Sequence, residues 1–515
     1  MILGLVLLFP LLLAALVLPT ATRRVGMALA PWAALPGLLL ALGAPDAYRV
    51  DVHWLLLGSR FGLDDTGRLF LLFTAGLWLA AGLYARAYLA DDPRRHTFIA
   101  FFLVTLTGNL GVCLALDAAS FYTAFALMTF AAYGLVVHAQ DAEAQRAGRV
   151  YLVMALLGEA MLIVGLLLLA GAAQTHTLPE MTRSAPTLAS ALLFLGFGIK
   201  AGVLLLHMWL PLAHPVAPTP ASAVLSGAMI KAGLLGWLRF LPLGEAALPV
   251  LGMALLGLGL FAVFAGVAAG LAQRNAKTLL AYSSISQMGY PTLAVGAGLL
   301  APQLWPVLLP AIGLYALHHA LAKGALFLGE GVARRRGTDA LVWAGLALPA
   351  LALAGAPLTS GALAKTELLA ALAGLPAPWP GVLSWGLSLG AVGTALLMWR
   401  FLCLLRGAPK RGGAGLLLPW LGGLAALALV WMMADPAARA YLLSVAGLWS
   451  AAWPLLLAVG LACLPGWRAG PTWELPAGDL LCWVTVALRA ARGLAGRCKW
   501  CRGKAVIARA FGPTK

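Results

Sequence analysis

Long runs of apolar residues, separated by short polar stretches, dominate the chain. Each run is about 20 residues long, the helix length that crosses a hydrocarbon core of roughly 30 Å. Strands of a membrane barrel would alternate apolar and polar positions, and these runs do not. Because lipid cannot bond backbone amides, the spans must be helices. The pattern predicts an all-α membrane protein with about 14–15 transmembrane helices. The predicted spans are residues 2–19, 26–43, 69–89, 97–116, 118–137, 149–171, 186–210, 220–240, 247–272, 278–299, 304–331, 340–373, 382–404, 415–434 and 442–464.

Two of these spans, 186–210 and 340–373, contain or run into helix-breaking residues. Proline removes a helix hydrogen bond and clashes with the preceding turn. Interrupted helices at corresponding places in two halves of a chain indicate a transporter built from inverted repeats. The breaking residues are Pro211, Pro215, Pro218, Pro220, Pro357 and Gly361. The predicted units are N-terminal helices 1–96, a first repeat 97–240, a second repeat 247–404, C-terminal helices 415–464 and a tail 471–515.

Composition agrees with this pattern: 62% of the 515 residues are hydrophobic and 10% are charged, with a mean hydropathy of +0.92. A net charge of +17 would suggest nucleic acid or acidic lipid in a soluble protein. Here 16 lysines and arginines fall in loops on one side of the predicted membrane and 6 on the other. The positive-inside rule then predicts an outside N-terminus and a cytoplasmic C-terminus in the cell inner membrane, and no nucleic-acid partner.

The tail 471–515 is basic and partly apolar. It is expected either to lie on anionic lipids of the inner leaflet or to be disordered, and the sequence leaves both open. Cys498 and Cys501 form a single C-x-x-C without a second pair or a nearby histidine, so free thiols are expected. Neither a metal site nor a cofactor is predicted, and the chain has no Walker loop, dinucleotide-binding glycine motif or H-E-x-x-H.

Four lysines lie inside predicted spans, where a charged side chain costs roughly 2.5–3.5 kcal/mol. A lysine near a span end can extend to the headgroups, an explanation that suits Lys277. It fits Lys200, Lys231 and Lys323 poorly, since they lie well inside their apolar runs, and Lys365 lies beside a helix break with Glu367 two residues on. A buried amine that loads and releases a proton suits transport. The four are Lys200, Lys231, Lys323 and Lys365.

Histidines are interspersed among these lysines. His319 lies four residues before Lys323 and therefore shares its helix face, next to His318. His207 follows Lys200 by seven residues, about two turns if the helix continues that far. Imidazole titrates near neutral pH and can relay protons between amines, although a single membrane histidine is more often a packing residue.

Acidic residues inside the spans are few. Glu159 is central to its span and is expected to be either protonated or paired with a lysine.

Four stretches resemble the antiporter-like subunits of respiratory complex I, the large subunits of multisubunit cation/proton antiporters and the membrane subunits of membrane-bound hydrogenases. They are HMWLPLAHPVAPTPASAVLSGAMIKAG, NAKTLLAYSSISQMGY, LHHALAKGALFLGEG and APLTSGALAKTELL. The resemblance covers most of residues 64–404. It implies two inverted five-helix repeats, each with a broken helix and a half-channel, and a central axis of lysines and histidines. It implies that Lys200 and Lys365 belong to the two broken helices, that Lys231 lies on the next helix, and that His319 and Lys323 link the halves.

One position departs from the family pattern. The family carries a glutamate on its fifth helix, paired with the lysine of the first broken helix, and Ala126 stands in its place. Either Glu159, one helix later, replaces this acid, or the chain has lost coupling.

Three functions remain open from the sequence. The first is a proton- or cation-translocating subunit of a larger membrane complex, a transporter subunit rather than an enzyme on its own, within a translocase of the NADH:quinone oxidoreductase or hydrogenase type. The second is the membrane half of a proton-driven inorganic-carbon uptake system with a soluble, carbonic-anhydrase-like cytoplasmic partner. The third is a non-conducting scaffold, which would gain nothing from interior lysines.

Overall fold

The computed structural model describes residues 2–45, 48–56, 58–173, 178–407, 413–464 and 475–478. Within this part of the chain, eleven helices are long and apolar enough to cross a membrane, and three shorter apolar helices accompany them. The predicted all-α membrane architecture is therefore confirmed. Most of the tail 471–515, with Cys498 and Cys501, lies outside the described residues.

The helices follow the predicted spans closely. They are α1 Ile2–Val17, α2 Arg23–Leu29, α3 Leu35–Gly43, α4 Asp65–Tyr88, α5 Arg95–Leu114, α6 Ala118–Val136, α7 Ala142–Ala172, α8 Leu178–Arg183, α9 Thr187–Ala201, α10 Trp209–Val216, α11 Thr219–Val224, α12 Ile230–Phe240, α13 Pro249–Leu271, α14 Ala276–Leu300, α15 Trp305–Arg336, α16 Ala340–Ala354, α17 Ser360–Leu372, α18 Trp379–Leu404, α19 Ala414–Ala425, α20 Leu429–Met433, α21 Pro436–Leu443 and α22 Val445–Ala462. Short 3₁₀ turns occupy Ala30–Trp32, Pro302–Leu304 and Ala426–Ala428, and a π-turn occupies Leu225–Met229.

Several helices begin at an acidic cap. The carboxylates of Asp64, Asp117, Asp141 and Asp339 accept the backbone N–H three residues ahead at 2.6–2.9 Å. Each bond satisfies an amide that the first helical turn leaves free. The Asp141 cap explains why α7 starts at Ala142, earlier than the sequence suggested, since the polar turn before the apolar run is already helical.

Two regions, one predicted span and one connecting segment, differ from what the sequence predicted. The predicted helix 26–43 is divided into α2, a 3₁₀ turn and α3, because Pro31 and Pro36 each remove a backbone donor. A small antiparallel hairpin, β1 Arg49–Val52 with β2 Ser59–Gly62, was not predicted. It lies against the start of α6, where Asp117 accepts the N–H of Arg60 at 2.7 Å.

Both predicted helix breaks are present. Helix α9 ends at Ala201, and Gly202 adopts φ +71°, a left-handed conformation that glycine allows at a helix end. The chain then passes through residues 202–208 before α10 begins. Helix α16 ends in the same way at Ala354, where Gly355 follows with φ +85°, and Thr359 caps the start of α17.

Candidate functional site

All eight residues predicted to carry protons are buried in the bundle, none more than 9% exposed. They are Glu159 (5%), Lys200 (4%), His207 (1%), Lys231 (1%), His318 (0%), His319 (1%), Lys323 (0%) and Lys365 (9%). Such groups require internal partners, because neither lipid nor packed side chains solvate a charge.

Lys200 occupies an aromatic cage at the end of α9. Its Nζ donates to the Tyr151 hydroxyl at 3.0 Å, and that hydroxyl donates to the Thr129 carbonyl at 2.7 Å. The amine also lies 5.3–6.0 Å from the ring centroids of Tyr151, Phe125 and Trp209. These ring faces are electronegative and favour a cation there. The cage therefore partly replaces the solvation that the amine loses on burial.

Glu159 faces this amine. A cavity of about 20 Å³, enough for about one water molecule, is lined by Glu159, Lys200 and Thr129 among other residues. Lys200, Tyr122 and Thr129 interact electrostatically with the carboxylate, yet neither of its oxygens makes a close hydrogen bond to the described residues. Ala126, where the resemblance implies an acid, is next to the cage residue Phe125 on α6. Glu159 lies instead on α7, and it lines the same small cavity as the Lys200 amine.

His207 does not stack two turns from Lys200, because α9 ends at Ala201. It lies in the break, where its Nδ1 accepts the N–H of Leu205 at 3.1 Å and its ring is 6.1 Å from that of Tyr282. The two-turn spacing depended on the helix continuing to His207, and that condition is not met.

The π-turn places a backbone carbonyl beneath Lys231. Lys231 Nζ donates to the Ser226 carbonyl at 2.7 Å, within the widened turn Leu225–Met229. Such turns are rare and occur frequently at functional sites because they disturb the regular i→i−4 bonding.

A hydrogen-bonded chain joins Lys231 to Lys323. Lys323 Nζ donates to the Leu280 carbonyl at 2.9 Å, and the same carbonyl accepts from the Ser284 hydroxyl at 3.0 Å. The hydroxyls of Ser284 and Ser226 are 2.8 Å apart, and Ser226 carries the carbonyl that binds Lys231. The network thus connects two lysines on different helices through two serine hydroxyls and two backbone carbonyls, one of them shared by Lys323 and Ser284 and the other belonging to Ser226 itself.

The two central histidines on α15 have different environments. His318 Nδ1 is 2.9 Å from the hydroxyl of Ser360, the first residue of α17. Neither ring nitrogen of His319 bonds to a described residue, and Lys231, Lys323 and Lys365 all act on it electrostatically. His318 therefore points to the second broken helix and His319 lies among the lysines.

Lys365 lies at the second break. Its Nζ donates to the Leu353 carbonyl in the last turn of α16 at 2.8 Å and lies 5.3 Å from the centre of the Tyr290 ring. It also lines an open cavity of about 1090 Å³, together with Glu367 and Asp435. Glu367 accepts the N–H of Asp435 at 2.6 Å, which fixes the acid at the cavity wall.

Gly361 is required for this arrangement. A Cβ placed on it would lie 1.7 Å from the Ala352 carbonyl oxygen and 2.9 Å from His318 Nε2. No side chain fits there, so the start of α17 contacts α16 backbone to backbone.

Sequence reasoning missed several members of the site. Nothing in the sequence marks Tyr151 as a partner of Lys200, since it is one tyrosine in an apolar run. The contact arises only because helices distant in sequence pack together. His214 was also missed: neither of its ring nitrogens bonds to a described residue, and its ring stacks on Phe327 at 4.4 Å. Lys277 was assigned to the interface; its Nζ bonds the Ala217 carbonyl at 2.8 Å.

Among the described residues, no group of three or more histidines, cysteines or acids is arranged to hold a metal ion. The site thus consists of amines, imidazoles, hydroxyls, backbone carbonyls and one interior acid near Lys200.

A family model described as "NADH:quinone oxidoreductase/Mrp antiporter, TM" matches residues 115–389, more than half of the chain. The chain belongs to this family. Among its relatives, Hydrogenase-4 component B of Escherichia coli (strain K12) is 38% identical over 85 residues, covering 16% of this chain and 13% of that protein. A probable K(+)/H(+) antiporter subunit of Rhizobium meliloti (strain 1021) is 30% identical over 126 residues, covering 24% and 23%.

The fold of this family member is similar to that of a solved structure. A chain of the Mrp complex from Dietzia sp. DQ12-45-1b superposes with a TM-score of 0.78 at 23% identity, over 100% of this chain and 63% of that one. The matched segments span only 13% and 23% of the two curated relatives. The family match and the apolar helices establish a multi-pass membrane protein of this family, and the superposition establishes its fold.

Proposed function

We propose that this chain translocates protons, or another small cation, along the buried lysines and histidines as one subunit of a multisubunit membrane complex. The hydrogen-bonded chain from Lys323 through Ser284 and Ser226 to Lys231 carries the proposal most strongly. It runs through the bundle interior, where isolated ammonium groups would be costly. Side-chain packing alone gives no reason to place these lysines and serines within hydrogen-bonding reach of one another.

The arrangement supports stepwise transfer. An amine that donates to a carbonyl or hydroxyl holds its proton in a defined direction, and an imidazole accepts on one nitrogen while it donates from the other. His319 is central because three lysines act on it electrostatically. His318 extends this series of proton-transfer groups to Ser360, whose hydroxyl is 2.9 Å from its Nδ1 at the start of the helix that carries Lys365. Protons would then pass between the two breaks along this axis.

Glu159 supplies the charge partner for Lys200 in this proposal. It lines the same small cavity as the amine, and opposite charges that share a poorly solvated site stabilise each other's ionised forms. The acid that the family carries on its fifth helix is thereby replaced from the next helix. Coupling at Lys200 would be retained despite Ala126.

The proposed partners are other membrane subunits, as the names of the relatives suggest, and a soluble cytoplasmic partner. The proposed location is the cell inner membrane, with the N-terminus outside, because the basic loops favour that orientation. Anionic lipids are proposed at the basic tail.

The test is proton flux through the complex, copurified from its native membrane and reconstituted in liposomes. Lys323→Ala and Lys365→Ala should each abolish coupled transport while the complex still assembles. Arg60→Ala is the control, since it removes a cation from an exposed ion pair with Asp51 in the hairpin. Normal flux in both lysine variants would contradict the axis.

The same preparation distinguishes the other two functions. A scaffold predicts no change in flux for any interior lysine variant. An inorganic-carbon system predicts that a soluble hydratase copurifies and that bicarbonate accumulation requires Lys323 and Lys365. Copurification of redox or sister antiporter subunits, with no hydratase, favours the leading proposal.

A further inference from the structure

His214 is a buried histidine that the axis described above does not use. It is 0% exposed, and neither ring nitrogen bonds to a described residue. Its ring stacks on the apolar ring of Phe327 at 4.4 Å. Leaving two polar ring atoms without protein partners is costly. A residue placed there only for packing would not need ring nitrogens.

The position of His214 links the central axis to another lysine. Phe327, on which it stacks, lies one helical turn after Lys323 on α15, so the two share a face. On the other side, α10 ends at Val216, and the carbonyl of the next residue, Ala217, accepts from Lys277 Nζ at 2.8 Å. Lys277 and Lys323 both act on the imidazole electrostatically. Amines on two different helices therefore act on this ring.

Lys277 in turn reaches an open vestibule. A cavity of about 480 Å³ is lined by Lys277, Asp91, Asp92, Arg335 and the segment 215–218. It opens at the end of the bundle that carries Arg334–336, the predicted cytoplasmic side. It is wide enough for many water molecules.

The vestibule rim also holds a fixed negative charge. Burial acts to raise the pKa of Asp92, but hydrogen bonds from His138 and the N–H of Arg94 outweigh it and leave that pKa below its usual value. His138 Nε2 is 2.9 Å from the carboxylate. An ionised acid at a pore mouth raises the local concentration of protons and other cations.

We propose that protons reach the axis from this vestibule through Lys277 and His214 to Lys323, a route separate from the Lys200 site. Lys277 takes a proton from vestibule water and gives it to one imidazole nitrogen. The other nitrogen releases its proton to the neutral Lys323 amine, so the ring returns to its neutral state and Lys277 is free to load again. Water molecules that hydrogen-bond to both groups bridge each gap. This inference rests on the proposed function, because it supplies protons to that axis.

His214→Phe tests the route in the reconstituted complex. Phenylalanine keeps the stack on Phe327 and removes both ring nitrogens. Flux should fall by about a hundredfold, the lower range of what a positioned proton-transfer group contributes. His53→Phe, a matched change at an exposed histidine near the hairpin, should leave flux unchanged. If His214→Phe fails to assemble, His214→Gln is held to the same criterion.

Chemical rescue separates proton transfer from structure. His214→Ala opens a space for free imidazole, which should restore flux when added on the vestibule side. A loss of flux that imidazole does not restore would assign His214 a structural role and overturn the route. Wild-type flux in His214→Phe, with none in Lys323→Ala, would overturn the route but keep the axis. Wild-type flux in both would remove the proposed function as well.

Discussion

Gly361→Ala is the smallest substitution that should separate the second broken helix from its site. The added Cβ would lie 1.7 Å from the Ala352 carbonyl oxygen, whereas real Cβ atoms essentially never approach other atoms within 3.0 Å. The start of α17 must therefore retreat by about 1.3 Å. Ala352 is backbone in a packed helix, so it cannot move aside as the end of a flexible side chain could.

That retreat would break two contacts of the site. The bond from Lys365 Nζ to Leu353 is 2.8 Å long and that between His318 and Ser360 is 2.9 Å. A shift of this size exceeds the hydrogen-bonding range for both. Overpacking costs about 1–3 kcal/mol, and a lost hydrogen bond to a charged group costs about 1.5–3 kcal/mol. We expect a total loss of about 2.5–6 kcal/mol in the free energy of unfolding.

The measurement is thermal unfolding of the detergent-solubilised chain, together with flux in the reconstituted complex. Gly257→Ala is the matched control, because its added methyl meets no atom within 4 Å. Gly361→Ala should lower the unfolding midpoint and abolish flux, and Gly257→Ala should do neither. Equal stability of the two variants would refute the proposed close contact between α16 and α17.

Three further changes test other parts of the site. Glu159→Gln should reduce flux nearly as much as Lys200→Ala, since it removes the acid facing that amine; wild-type flux would exclude Glu159 as the replacement for the missing glutamate. Ser284→Ala should slow flux about tenfold, the effect of a barrier raised by about 1.4 kcal/mol, because it interrupts the chain between Lys231 and Lys323; an unchanged rate would show that the chain is not used. Asp92→Asn should destabilise the protein near neutral pH. The folded pKa of Asp92 is depressed, so its contribution is present above its unfolded value of 3.8 and is lost as pH falls through the folded value. Unfolding midpoints of both proteins should therefore converge in acid, and a constant difference would contradict the assignment.

Much of the helical framework could be predicted because its signals are local. Runs of apolar residues fix the spans, and Pro357 with Gly361 marks the second break within a few residues. The division of the second predicted span, 26–43, could have been predicted from Pro31 and Pro36. It was not, because the run is apolar throughout and its hydropathy shows no interruption. The hairpin before α4 has strands of only four residues, too short for a clear alternating pattern.

The site could be predicted only as a set of residues. Buried lysines stand out by their cost in lipid, but their partners are mainly backbone carbonyls on other helices, which no side-chain pattern marks. The π-turn below Lys231 depends on how α11 joins α12. His207 could be placed only conditionally, because the end of α9 depends on Gly202, which lies inside the predicted span 186–210.

Four amines, those of Lys231, Lys277, Lys323 and Lys365, rest on peptide oxygens. Alanine scanning would therefore overlook half of each interaction, because replacing Leu280 or Leu353 leaves the carbonyl in place. Exchanging an amide for an ester would reach these oxygens, since an ester carbonyl is a weaker acceptor.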